Sequence, residues 1–157
     1  MKLGFMTFVL PEYSIEETVA FAKKAGYDGV ELRVDAGHRH GVSSESPAGE
    51  RRRVKELFAA AGIEIPSVAT SVKLSSPDPQ RHAGFMAMAK ANLDLAADLG
   101  ASFVRIFCGT EVPQLDEATA ARVAAAFDEL GEYSKGAGVT PMLECGHDIG
   151  AHYPPES

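Results

Sequence analysis

The chain has 157 residues, 45% of them hydrophobic and 24% charged, proportions that suit one soluble globular domain and exclude disordered and fibrous classes. Fifteen Lys plus Arg stand against twenty-two Asp plus Glu, a formal charge of −7, so a nucleic-acid partner is not expected. No apolar run approaches the roughly 20 residues of a membrane span and no leader pattern opens the chain, which makes a cytoplasmic protein without membrane attachment the expectation.

In chain order, a first strand is read over about Leu3 to Val9. Four times thereafter a helical stretch ends at Gly and a short strand follows: Gly26 then Tyr27 to Arg33, Gly62 then Ile63 to Ala69, Gly100 then Ala101 to Phe107, Gly138 then Val139 to Glu144. Glycine after the last turn can take the left-handed conformation that ends a helix. Ile15, Val19 and Ala22 recur at helical spacing in the first helix, as do Leu93, Leu95, Ala96 and Leu99 in the third. Ser14 with Glu17 forms a capping box, Ser46-Pro47 supplies an N-cap and first-position proline, and Asp116 precedes the fourth helix. Arg51-Arg52-Arg53 falls on a helix and reads as a solvated face.

Strands alternating with helices imply parallel pairing and right-handed crossovers. An open doubly wound sheet would carry a glycine-rich phosphate loop after its first strand, where this chain has Val9-Leu10-Pro11-Glu12-Tyr13. A barrel is therefore preferred. With units of roughly 35 residues, residues 1–157 are read as a single domain, a partial (β/α)₈ barrel of about five parallel strands and four helices, truncated before the sixth strand. Open edges on strands one and five would then favour a homodimer or a missing C-terminal half.

Alternation along the strands sorts the candidate site residues. Val30 and Leu32 share one face of the second strand and Glu31 and Arg33 the other; in the fourth, Val104 and Ile106 oppose Phe103, Arg105 and Phe107. If the aliphatic faces meet the helices, the charges point into the barrel, as does Glu144 at the end of the fifth strand. Such charges must pair, meet water at the mouth or hold a ligand. An internal ion-pair network and a functional mouth are both consistent with this, and Arg105 is expected to meet Glu144 or Glu31. Lys73, placed after the third strand, can attract a phosphate or carboxylate or be solvated. His38 and His40 form an HxH beside Asp35, read as a surface loop unless a third ligand fixes a metal. His147 with Asp148 can line the mouth or be solvated, and His82 reads as exposed. Cys108 and Cys145 read as packing residues in a reducing compartment.

Residues 26–33 (GYDGVELR), 92–107 (NLDLAADLGASFVRIF) and 138–144 (GVTPMLE) are similar to the second, fourth and fifth units of the sugar-phosphate isomerase/epimerase, or xylose isomerase-like, barrels. The resemblance implies a divalent metal (Mn, Mg, Co or Zn) at the C-terminal mouth and isomerisation or epimerisation of a sugar or sugar-phosphate. Leu143-Glu144 matches the carboxylate ligand that ends the fifth strand, so Glu144 is the implied metal ligand and, with Glu31, the implied catalytic carboxylate. Arg33, Arg105, Lys73 and His147 are the candidate substrate-binding residues, Arg33, Arg105 and Lys73 by their place at the strand ends and His147 by its place beside the implied ligand. Many relatives place His two residues after this Glu, where this chain has Gly146 before His147. The remaining family ligands lie on later strands, which implies an incomplete metal site and a chain inactive by itself. A non-catalytic or homodimeric half-barrel binding a small sugar-like ligand is the alternative.

Overall fold

The computed structural model describes residues 1–107 and 116–144; Cys108, Cys145, His147 and Asp148 lie outside them. Five parallel strands form one sheet in the order β1 (Gly4–Met6), β2 (Gly29–Arg33), β3 (Ser67–Lys73), β4 (Phe103–Phe107), β5 (Thr140–Glu144). Helices α1 (Ile15–Ala25), α2 (Ala48–Ala61), α3 (Pro79–Leu99) and α4 (Glu117–Ser134) make the crossovers. This is the predicted partial barrel. No helix among the described residues is long and apolar enough to cross a membrane.

The helix ends follow local chemistry. Ser14 Oγ accepts from the Glu17 amide while the Glu17 carboxylate accepts from the Ser14 amide, closing the predicted box at α1. Asp116 accepts from the Thr119 amide at α4, and Asp78 caps α3 ahead of Pro79. Gly26, Gly62 and Gly100 end their helices in the left-handed region. The fourth helix instead stops at Ser134, ahead of Gly138. At α2 the expectation fails: Pro47 is the N-cap, and Ser46 Oγ accepts from the Ser43 amide inside the preceding loop. Nor is Arg51 solvated. It reaches back to the Ser44 and Ser46 carbonyls and across to Asp98 on α3, fastening that loop, whereas Arg53 lies outside in ion pairs with Glu16 and Glu50.

Two strands differ from their sequence reading. After Met6 the chain turns into a 3₁₀ turn over Thr7–Val9, because Thr7 is wholly buried with its Oγ accepting from the Arg33 amide at 2.9 Å. The third strand begins at Ser67 rather than Ile63, since Glu64 makes only an isolated bridge to Gly29 and Pro66 follows it. Lys73 accordingly ends β3 instead of following it. Pro141 is accommodated in β5 because alternate residues of a parallel strand donate to opposite sides. Thr140 donates to Ser102, so the Pro141 nitrogen faces away from β4 and no ladder bond to β4 is forfeited.

Alternation is obeyed where helices cover the sheet. Val30, Leu32, Val104 and Ile106 are buried to 0% exposure and join Val54, Phe58, Leu93 and Leu130 in one core between sheet and helices. The opposite face is open: Phe103 and Met142 are each 41% exposed. Leu32→Ala should cost about 3 kcal/mol in urea unfolding, the usual price of a core cavity. The exposed Arg39→Ala should change stability by less than about 0.5 kcal/mol.

Candidate functional site

A cavity of about 340 Å³ opens at the C-terminal ends of β1 to β4. Met6, Phe8 and Phe107 form its apolar walls; Arg33, Thr70, Ser71, Lys73 and Arg105 form its polar ones. This is the end of a barrel where loops and strand termini build sites. Three of the predicted substrate-binding residues, Arg33, Arg105 and Lys73, are thus brought together.

An irregularity in β3 shapes this wall. Ala69 lies opposite Arg105 and Lys73 opposite Phe107, so four residues of β3 advance against two of β4. The strand loses strict alternation there, and Thr70 and Ser71 both reach the cavity. Thr70 Oγ donates to the Arg105 carbonyl at 3.0 Å and accepts from the Val72 amide. Neither residue is marked by sequence pattern, because the third strand is read to end at Ala69 and TSVK falls after it; consecutive hydroxyls just past a strand end are the only hint.

Arg33 is the hub of the site. Its Nη1 donates to the Val34 and Ala69 carbonyls at 2.9 and 3.2 Å, and its Nη2 donates to Ser71 Oγ. Among the described residues no carboxylate lies within ion-pair distance of it. Burial and the nearby Arg105 cation push its pKa below the ordinary guanidinium value, against weaker support from Asp35 and Glu31.

Arg105 faces inward and its Nε pairs with Glu144, as inward residues on neighbouring strands require. The Glu144 side chain remains 43% exposed at the end of β5. Glu31 lies one inward position before Arg33, where it accepts from Ser67 Oγ at 2.7 Å and is not part of the cavity wall. Among the described residues no three His, Cys, Asp or Glu side chains are grouped to hold a metal.

The HxH lies in a loop whose Gly37, Arg39 and Gly41 are exposed, but His40 itself turns inward. His40 is 7% exposed; its Nδ1 accepts from the Val42 amide at 3.1 Å, which leaves Nε2 to donate to the Arg33 carbonyl at 3.1 Å. Both nitrogens are spent on backbone. His38 stacks edge-on against it at 5.5 Å between ring centres. Asp35, at φ 52, accepts from Ser44 and from the buried Asn92, which pins the same loop to α3. His82 is partly covered, with Nδ1 buried, rather than simply exposed.

Burial, and secondarily His38, lowers the His40 pKa from 6.5 to about 4. The folded state therefore binds this proton less readily than the unfolded chain. The associated stability is complete above pH 6.5 and is lost as pH falls towards about 4. Urea unfolding at pH 7 and pH 4.5 should show the parent chain losing about 2 kcal/mol more than His40→Asn over that interval.

The model of the xylose isomerase-like TIM barrel family matches residues 19–153. Among solved structures, an L-ribulose 3-epimerase aligns at TM-score 0.76 and 24% identity, covering 95% of this chain and 51% of the other. The IolI protein with a bound zinc atom gives 0.76 and 20%, covering 91% and 51%. D-psicose 3-epimerase with D-tagatose from Clostridium cellulolyticum H10 gives 0.71 and 17%, covering 91% and 52%. These likenesses establish the fold, and the chain spans about half the length of the solved structures it matches. No match was found among curated proteins.

Proposed function

Because this chain belongs to the xylose isomerase-like TIM barrel family, we propose that it supplies the N-terminal half of a metal-dependent sugar or sugar-phosphate isomerase or epimerase site in the cytoplasm. The observation that carries the reading is Glu144, a half-exposed carboxylate ending β5 and paired to Arg105, whose other face lines the cavity. Epimerases and a zinc-bound protein among the fold neighbours support the class.

A carboxylate oxygen suits a hard divalent cation such as Mg²⁺ or Mn²⁺, and a site that adds imidazole suits Co²⁺ or Zn²⁺. Glu144 offers one such oxygen donor, with Arg105 engaging Oε2. A bound metal would polarise neighbouring substrate oxygens as a Lewis acid. The chain's own residues do the rest. Arg33, Lys73 and Arg105 bind and orient the substrate, while Met6, Phe8 and Phe107 shield one side of it from water. Glu144, at the end of β5, is the carboxylate that moves a proton between adjacent substrate carbons, and Glu31, held by Ser67 outside the wall of the cavity formed by this half, serves as the second carboxylate only in a completed barrel.

One carboxylate leaves a cation mostly hydrated, so this half by itself binds metal weakly and is inactive. Mn²⁺ titration should show tight binding only once the remaining strands are supplied, in a longer chain or as a co-expressed fragment, and Glu144→Gln should abolish it with the fold intact. Unchanged Mn²⁺ affinity in Glu144→Gln would overturn the assignment.

The open inner face and the outer edges of β1 and β5 supply a second argument, about assembly. Phe103 and Met142, each 41% exposed on the inner face, would be covered by further strands, either from a C-terminal half or from a second copy of this chain. Light scattering on the chain alone should find a dimer or larger species. A monodisperse monomer at high concentration that melts cooperatively would contradict this.

A further inference from the structure

The charge of the cavity runs against that of the chain. A molecule of net charge −7 places Arg33, Lys73 and Arg105 around about 340 Å³ and, among the described residues, contributes no carboxylate to the lining. Arg105 is neutralised by Glu144. Arg33 is different: its donors go to two carbonyls and one hydroxyl, all uncharged, and its charge is half-buried facing a second guanidinium. Asp35 and Glu31 offset its charge only weakly and make their hydrogen bonds elsewhere, Asp35 with Ser44 and Asn92, Glu31 with Ser67.

A guanidinium desolvated without a directly paired carboxylate among the described residues is costly, and surrounding dipoles compensate it only in part. A neutral sugar would leave that imbalance in place. A ligand oxyanion would relieve it through charge-assisted bonds, with the Ser71 hydroxyl, which accepts from Arg33 and keeps its own proton, at the same wall to bind a further oxygen.

We infer that this cavity takes an anionic small molecule, a sugar bearing a phosphate ester or a carboxylate, with Arg33 as the anchor for the oxyanion. The inference rests on the isomerase reading only for the sugar part of the ligand. It narrows the substrate class to acidic sugars and makes Arg33 a specificity-determining residue, acting through binding rather than proton transfer.

The test is metal-free titration of the 157-residue chain at low salt with D-fructose 6-phosphate, D-gluconate and D-fructose as probes. At least one anionic probe should bind about tenfold more tightly than fructose, with the advantage shrinking as salt is raised. The tighter of the two anions tells a phosphate ester from a carboxylate. Arg33→Met should bring the anionic probe to within about twofold of fructose. Should that variant fail to fold, nitrogen NMR of the parent chain decides. The Arg33 guanidinium resonance should move with the anion, while that of Arg53, held outside by Glu16 and Glu50, stays fixed. Equal binding of fructose, an anion preference surviving in Arg33→Met, an unmoved Arg33 resonance, or no binding of either anion would each overturn the inference. None of these readouts involves Glu144 or metal, so a failure here leaves the isomerase reading standing, and a failed Mn²⁺ titration leaves this one.

Discussion

The half-buried guanidinium of Arg33 is the interaction on which the candidate site depends. A cation withdrawn from water must be given donors' partners by the protein, and the partners here come from three parts of the chain. The main-chain amide is received by Thr7 after β1, the guanidinium by the carbonyls of Val34 and Ala69 and the hydroxyl of Ser71, and the Arg33 carbonyl accepts from His40. One residue thereby ties the end of β1, the end of β2, the irregular part of β3 and the loop after β2 into a single wall. The early end of β1 and the burial of His40 are both consequences of serving it.

This arrangement separates structural from functional polarity at the barrel mouth. His38, His40, Asp35, Ser44 and Asn92 form a loop framework whose donors and acceptors are mostly spent on each other or on backbone. Arg105 and Glu144 neutralise one another, yet Glu144 stays half-exposed and faces the open side of the sheet. Among the described residues, the Arg33 guanidinium bonds to uncharged groups alone, and the carboxylates of Asp35 and Glu31 offset its charge only weakly. Stability and ligand recognition are in this way assigned to adjacent residues of the same strands.

The β3 irregularity has the same logic. A strand that kept strict alternation from Ser67 to Lys73 would turn either Thr70 or Ser71 into the helix layer, where Val68 and Val72 already pack. By advancing four residues against two of β4, the chain brings both hydroxyls to the mouth and still pairs Lys73 with Phe107. The arrangement costs some ladder regularity at one point and gains two polar groups at the wall.

Much of this was legible in the amino acids alone, for a reason of short range. Capping chemistry at Ser14 and Asp116, glycine after three of the four helices, and alternation of aliphatic with charged residues in VELR and VRIF act within a few residues, so they define five strands, four helices and the inward charges directly. The pairing of Arg105 with Glu144 followed because adjacent parallel strands leave inward neighbours little choice. Other features needed the tertiary structure. Where β1 and β3 begin and end depends on the Arg33 contacts and on Pro66; the role of His40 depends on a backbone amide and a carbonyl that no side-chain pattern announces. Arg51 became a loop fastener because α3 lies beside it. Which cation would lack a counter-ion could be decided only by distances between segments far apart in sequence, since charge compensation is a property of space and not of spacing along the chain.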